Sequence, residues 1–528
     1  MPMPLARRSK ALSAGVLAVT TMVVAVGGAG GAAALQSDHA KARNASVPVL
    51  PARFTQQKVH WTHCDADVTA KALPGAQCGW VKVPVDYAAP DGKTVNLRVS
   101  RVQAKDHRHR LGSLFFNPGG PGAGGAAHVA SGNWPAGEQA RARYDLVGFD
   151  PRGIGGSGQI KCPDGMAEGP DTTPRTASEA ERTFADATRQ AQACQRASGP
   201  VLAHMDSVSV ARDLDVLRTV LGDAKLNYTG VSYGTFLGQQ YMKLFPGKVG
   251  RMVLDGVVNP AADMRQVARL DMKTADDAVR RYANDLVARG DTRLGATTEE
   301  ILRTLTSFSK RLAREPLQGA EGKEFNDAAL SMYLRMTATG DVSWRQLTTA
   351  LVAALHGDVS GFDRLDAAGA GEGGGEEPTP QEKQADENEA VSMPAVLCLD
   401  SPSAPKSPEA MLNTADAFAK QSPLFGRFLA WQMIDCATWP LAPTGAAAPV
   451  KAPGAPPVLL VSYTDDAVTP LANAQAVHRQ LAHSSLLIRK GHGHSAYATD
   501  PPSTCTDRAV DRYLVGGKLP GQVANCSA

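Results

Sequence analysis

Gly230-Val231-Ser232-Tyr233-Gly234 decides how this chain is read. The five residues spell G-x-S-x-G, and their flanks have contrasting textures. Lys225 to Thr229 can be a short buried strand, and Thr235 to Tyr241 can open a helix. A serine on such a strand-to-helix turn is forced into a strained backbone conformation and held clear of the sheet. The glycines are required because a Cβ at either position would collide with a neighbouring strand or helix. The same five-residue pattern arises by chance in ordinary turns. Strand texture before it and helix texture after it favour a catalytic serine.

Outward from this turn, strand and helix texture alternate. Gly79 to Tyr87 and Thr94 to Val102 read as strands joined by the turn Ala88 to Lys93, an antiparallel pair. Ser113 to Phe116 is a buried strand that runs into a glycine-rich loop. Tyr144 to Phe149 is another, ending at Asp150-Pro151-Arg152-Gly153. Val208 to Leu221 has apolar residues at helical spacing, and Val249 to Leu254 is a further strand closing at Asp255-Gly256. This alternation predicts an α/β fold with a mostly parallel central sheet.

The pattern then changes. From about Asn259 to Asp363 the chain reads as helices with no clear strand, and Ala367 to Glu389 is Gly-rich, then acidic, as in mobile segments. Strand texture resumes at Pro457 to Val461 and Ser485 to Arg489. A helical block between two stretches of sheet reads as an insertion, here a cap over the catalytic face. The expected layout is core over 56–258, cap over 259–395 with a mobile stretch at 367–389, and core again over 396–528.

The first residues do not read as fold. Arg7, Arg8 and Lys10 precede the apolar run Ala11 to Val26, and Ala32-Ala33-Ala34 offers a cleavage site, so 1–34 is expected to be a signal peptide. An uncleaved membrane anchor is the competing reading, weakened by the glycines between Gly27 and Gly31. Residues 35–55 read as a leader or prosegment. The eight cysteines are even in number and suit an oxidising compartment. Neighbours along the chain suggest Cys64–Cys78, Cys162–Cys194, Cys398–Cys436 and Cys505–Cys526. A net charge of +3 gives no electrostatic case for nucleic acid.

A serine hydroxyl becomes a nucleophile only when a base takes its proton, and that base needs an orienting acid. On a fold of this type the chain order is Ser, acid, His. Thr464-Asp465-Asp466-Ala467-Val468-Thr469-Pro470 follows a late strand and supplies Asp466, with Asp465 second. Gly491-His492-Gly493-His494-Ser495 follows the last strand and supplies His494, with His492 second; H-x-H is also a metal-binding pattern, but no ligand cluster lies beside it. Asn117-Pro118-Gly119-Gly120-Pro121-Gly122 occupies the place of an oxyanion loop, so the amides of Gly120 and Tyr233 are candidate donors. Gly120, Gly122 and Gly125 also spell a phosphate-loop pattern, a cheap match in a glycine-rich run. Asp150 and Arg152 are expected to order neighbouring loops rather than react.

Together these stretches, with Asp150-Pro151-Arg152-Gly153-Ile154-Gly155 and Gly493-His494-Ser495-Ala496-Tyr497, resemble the secreted tripeptidyl aminopeptidases of the proline-iminopeptidase branch of α/β hydrolases. The likeness spans about Trp61 to Cys526. It implies an α/β-hydrolase fold, Ser232 as nucleophile, Asp466 as orienting acid, His494 as base and Thr469 as a supporting hydrogen-bond group. It implies a secreted serine peptidase that acts near free N-termini of peptides and often releases tripeptides. Separately, no cofactor or metal is expected, the protein is expected to be a monomer, and no stable membrane association is expected once its signal is removed. Asp400 is the candidate holder of the substrate ammonium. Asn117 departs from the histidine usual in the smaller proline iminopeptidases. A secreted esterase or lipase with the same three residues is the alternative, and a binding protein that lost its chemistry is a third class.

Overall fold

Runs such as Leu114-Phe115-Phe116 and Val458 to Val461 are buried along their whole length, as strands covered on both faces must be. In this computed structural model the described residues are 49–527, apart from 65–67, 70, 135, 164–172, 320–321, 323, 340–342, 370–379, 402, 446 and 500–501. The expected signal peptide, and the leader up to residue 48, lie outside them.

The central sheet has ten strands: β1 (Thr62–His63), β2 (Gln77–Pro84), β3 (Thr94–Val102), β4 (Ser113–Asn117), β5 (Asp145–Phe149), β6 (Leu226–Val231), β7 (Val249–Asp255), β10 (Val458–Asp465), β11 (Ser484–His492) and β12 (Val523–Cys526). Their spatial order is β1-β2-β3-β5-β4-β6-β7-β10-β11-β12. The pairings β1–β2, β2–β3 and β3–β5 are antiparallel. All the others are parallel, which makes this the mostly parallel sheet of an α/β hydrolase.

Register places the functional loops at one edge of the sheet. Asn117 is level with Gly230, Val231 with Asp255, and Asp255 with Val461. The segments that follow β4, β6, β7, β10 and β11 therefore leave the sheet side by side. This is the carboxyl edge, where open parallel sheets carry their sites.

Between β7 and β10 the chain is dominated by helices, from Met264–Ala288 to Ile434–Thr438. The first begins on a capping box: the Asp263 carboxylate accepts from the Gln266 amide, and the Gln266 side chain returns to the Asp263 N–H. Two departures from the sequence reading occur here. A small antiparallel ribbon, β8 (Leu317–Gln318) with β9 (Glu324–Phe325), interrupts the block where no strand was expected. Strands of two residues are too short to carry a period-two pattern. The segment read as mobile also turns helical, since one helix covers Pro380–Asp400. Glu, Gln, Lys and Ala are strong helix formers, so a polar composition is compatible with either state. Residues 370–379 lie outside the described set.

Three helices bear on the site: α1 (Ser207–Val220), α2 (Tyr233–Leu244) and α3 (Pro380–Asp400). Disulfides join Cys64 to Cys78, Cys162 to Cys194, Cys398 to Cys436 and Cys505 to Cys526. The last ties the helix Thr504–Gly516 to the edge strand β12.

Candidate active site

Ser232 sits between β6 and α2 with φ 53° and ψ −123°, a positive-φ conformation that costs a non-glycine residue energy. Its backbone is held on both sides. The Ser232 N–H donates to Asp255 O at 2.9 Å, and its carbonyl accepts from Thr235 N at 2.9 Å and Thr235 Oγ1 at 2.7 Å. The bracketing glycines are required by close approach. A Cβ on Gly230 would stand 2.4 Å from Gly234 O, and one on Gly234 would stand 2.6 Å from Asn117 O.

Asp466 leaves the end of β10 and is buried. It accepts hydrogen bonds from Val468 N, Thr469 N and Thr469 Oγ1 at 2.7–3.0 Å. Its two oxygens also lie 3.1 and 3.0 Å from His494 Nδ1. A carboxylate on that nitrogen assigns the ring proton to Nδ1 and leaves Nε2 as the acceptor. Burial alone would lower the His494 pKa, but the hydrogen bond and charge of Asp466, with Asp255 behind, raise it above its ordinary 6.5. Asp465 and His492 pair with each other across β10 and β11 and are exposed, away from this contact.

His494 also packs on the strand that anchors Ser232. A Cβ on Gly256 would stand 3.0 Å from His494 Cε1. Among the described residues no hydrogen bond joins the Ser232 hydroxyl to the ring; in unliganded enzymes this contact is often long and tightens with substrate.

Asp255 was missed by the sequence reading, which took it only as the end of a strand. Its buried carboxylate accepts from Ser495 Oγ at 3.1 Å, Ala496 N at 2.8 Å and Tyr497 N at 2.9 Å. It therefore pins the residues directly after His494. Burial pushes its pKa up, against these donors and the charge of His494. The available signal was an acid at the carboxyl end of a central strand, directly before a glycine.

The loop after β4 lies against the serine turn. Gly119, Gly120 and Gly122 have φ of 98°, 94° and 119°, a region that disfavours side chains. A Cβ on Gly119 would stand 2.9 Å from the Tyr233 nitrogen. Tyr233 is the first residue of α2, so its N–H has no acceptor within the helix.

Helix α3 reaches both this loop and the loop after β5. Asn388 Oδ1 accepts from Gly155 N at 2.7 Å, and Glu389 Oε1 lies 2.9 Å from where a Cβ on Gly120 would stand. Sequence reading missed Glu389 because the acidic stretch carries no spacing signal. Asp400, expected at the cap edge and open to substrate, is enclosed. Its carboxylate accepts from Ser207 N, Ser207 Oγ and Tyr233 Oη. Arg152 is also fully enclosed, in a two-pronged ion pair with Asp213 at 2.6 and 2.7 Å. Asp150 accepts from Ala126 N and Gly156 N, so each braces a loop, though not by pairing with the other.

Residues 422–526 match a family described as TAP-like protein. A tripeptidyl aminopeptidase of Streptomyces lividans is 34% identical over 505 residues, covering 92% of this chain and 89% of the relative. The chain belongs to the tripeptidyl aminopeptidase family. As a member of that family it is a serine hydrolase. Two further relatives of Mycobacterium tuberculosis are similar along nearly their whole length. Serine protease Hip1 is 31% identical over 497 residues, covering 89% of this chain and 91% of its own. A carboxylesterase B is 30% identical over 503 residues, covering 91% and 92%. The four disulfides fit an oxidising compartment, and no helix among the described residues is long and apolar enough to cross a membrane.

Proposed function

We propose that this member of the tripeptidyl aminopeptidase family is an exported, monomeric serine exopeptidase that cleaves peptides near a free N-terminus and releases tripeptides. The observation that carries the reading is the buried Asp466–His494 contact beside the strained Ser232 turn. His494 Nε2 takes the Ser232 proton as Oγ attacks the scissile carbonyl. The amides of Gly120 and Tyr233 receive the oxyanion, a contribution of about 3–4 kcal/mol per donor. His494 then gives the proton to the leaving amine, and water, activated by the same ring, hydrolyses the acyl-enzyme.

The tripeptidyl aminopeptidase and serine protease Hip1 relatives support peptides as substrates. The second reading, an esterase, is supported by the carboxylesterase B relative.

One set of assays tests both. A fluorophosphonate should label the protein and should not label Ser232→Ala. The unlabelled enzyme should hydrolyse a tripeptidyl anilide, prior labelling should stop that hydrolysis, and acetylating the substrate's amino group should abolish turnover. Equal turnover of free and acetylated substrates would exclude an aminopeptidase, and turnover of acyl esters alone would establish the esterase.

A further inference from the structure

We propose that Asp400 is a positioning residue, fixing the Tyr233 side chain and thereby the first turn of α2, where the candidate oxyanion amide lies. The proposal rests on the reading of Tyr233 N–H as an oxyanion donor.

Tyr233 is held at both ends. Its nitrogen faces the Gly119 loop, and its ring stacks on Phe236 with centroids 5.1 Å apart. Its hydroxyl donates to Asp400 Oδ2 at 2.8 Å. Asp400 is the last residue of α3 and is 4% exposed. The same carboxylate accepts from Ser207 Oγ at 2.6 Å and from Ser207 N at 3.0 and 3.2 Å. Ser207 is the first residue of α1. One carboxylate thus joins the end of the inserted helix, the start of a core helix and the residue after the proposed nucleophile.

The site of this junction gives it leverage. Ser207, Tyr233, Val396, Asn117 and Gly119 wall one small pocket of about 30 Å³ behind the loop. Tyr233 has only two side-chain torsions, so fixing its ring and hydroxyl fixes its Cα. An oxyanion donor works only when it is already aimed at the developing charge, so a displaced Cα reduces its contribution. With its internal donors, Asp400 has little capacity left for a substrate ammonium.

The test is a pair of conservative variants. Tyr233→Phe keeps the amide, the ring and the Asp400–Ser207 bonds but removes the hydroxyl contact. Asp400→Asn keeps the shape and removes the charge. Each should lower kcat by about ten- to a hundred-fold on a tripeptidyl anilide, with KM changed less than about twofold. The double variant should be no worse than the poorer single, because both act on the same Tyr233–Asp400 contact. The rate of fluorophosphonate labelling should fall in parallel. Wild-type rates in Tyr233→Phe would overturn the proposal, and that variant decides alone where Asp400→Asn does not fold. A rise in KM confined to free-amine substrates in Asp400→Asn would also overturn it, in favour of ammonium binding. A wild type that resists labelling overturns the reading of the site and this proposal with it. A labelled wild type whose variants label equally fast overturns this proposal alone.

Discussion

To act as the proposed base, His494 must be neutral at Nε2, and the Asp466 carboxylate works against that neutrality while holding the ring. The raised pKa of His494 places the acid limb of kcat/KM above the ordinary 6.5, since activity appears only as the imidazolium loses its proton. In Asp466→Asn the supporting charge is gone, so the limb should move to lower pH. The rate should also fall by about 10⁴-fold, because the ring is no longer held in the working tautomer. A pH profile of both proteins checks this, and a limb unmoved by the substitution would remove Asp466 from the proposed triad. At this scale the sequence was informative where chemistry imposes order and spacing. Ser232 lay in a bracketed motif, and Asp466 and His494 followed in the required order behind late strands. Their alternates could be separated only in space, since Asp465 and His492 satisfy the same order. Asp255 offered only its place, an acid ending a central strand before a glycine, because a carboxylate that accepts three distant donors carries no spacing pattern of its own.

The end of β7 organises more of the site than any single loop. Its last carbonyl holds the Ser232 amide, its last side chain holds Ser495 to Tyr497, and the next residue, Gly256, provides the surface on which the His494 ring rests. Asp255→Ala would leave the Ala496 and Tyr497 amides buried without an acceptor. Loss of about 2–6 kcal/mol of stability should follow, at about 1–3 kcal/mol for each unsatisfied group. Asp255→Asn keeps one acceptor oxygen and should fold better while still losing activity, because the loop bearing His494 is less firmly pinned. Urea unfolding with kcat measured on the same samples separates the two effects; full activity in Asp255→Ala would refute the role of this strand end. Elements were legible in proportion to burial. The central strands read as apolar runs because both faces are covered, as in Leu114 to Phe116. The edge strand β12, Val-Ala-Asn-Cys, has only one neighbour and a mixed composition, and it was not recognised. Helix α3 was missed in its first half because its charged residues serve a solvated segment and a helix equally well.

Across the molecule, several buried acids make stability and activity respond to pH in opposite directions. Burial pushes Asp271 up to about 6 despite Arg335 nearby, and Asp435 up to about 7. Burial and the charge of Asp206 push Asp400 up to about 7. A carboxyl raised from 3.8 holds its proton in the folded chain after the unfolded chain has released it. Its stabilisation is therefore complete on the acid side and is lost as pH rises through 6 to 7. His494, also raised, acts in the same direction. His478, lowered by partial burial and by Arg479, opposes them, but it is largely solvated and its effect is screened. The lowered carboxyls Asp106, Glu179, Asp291 and Asp358 titrate below this window. The melting temperature should accordingly be higher near pH ~5.5 than near pH ~8, and Asp435→Asn should narrow the difference. Calorimetry at the two values checks this, and a protein that melts higher at the alkaline value would contradict it. The proposed base imposes the reverse demand, since His494 can accept a proton only once pH exceeds its raised pKa. The enzyme should therefore turn over fastest in the range where its buried acids have begun to ionise and its fold is past its most stable point.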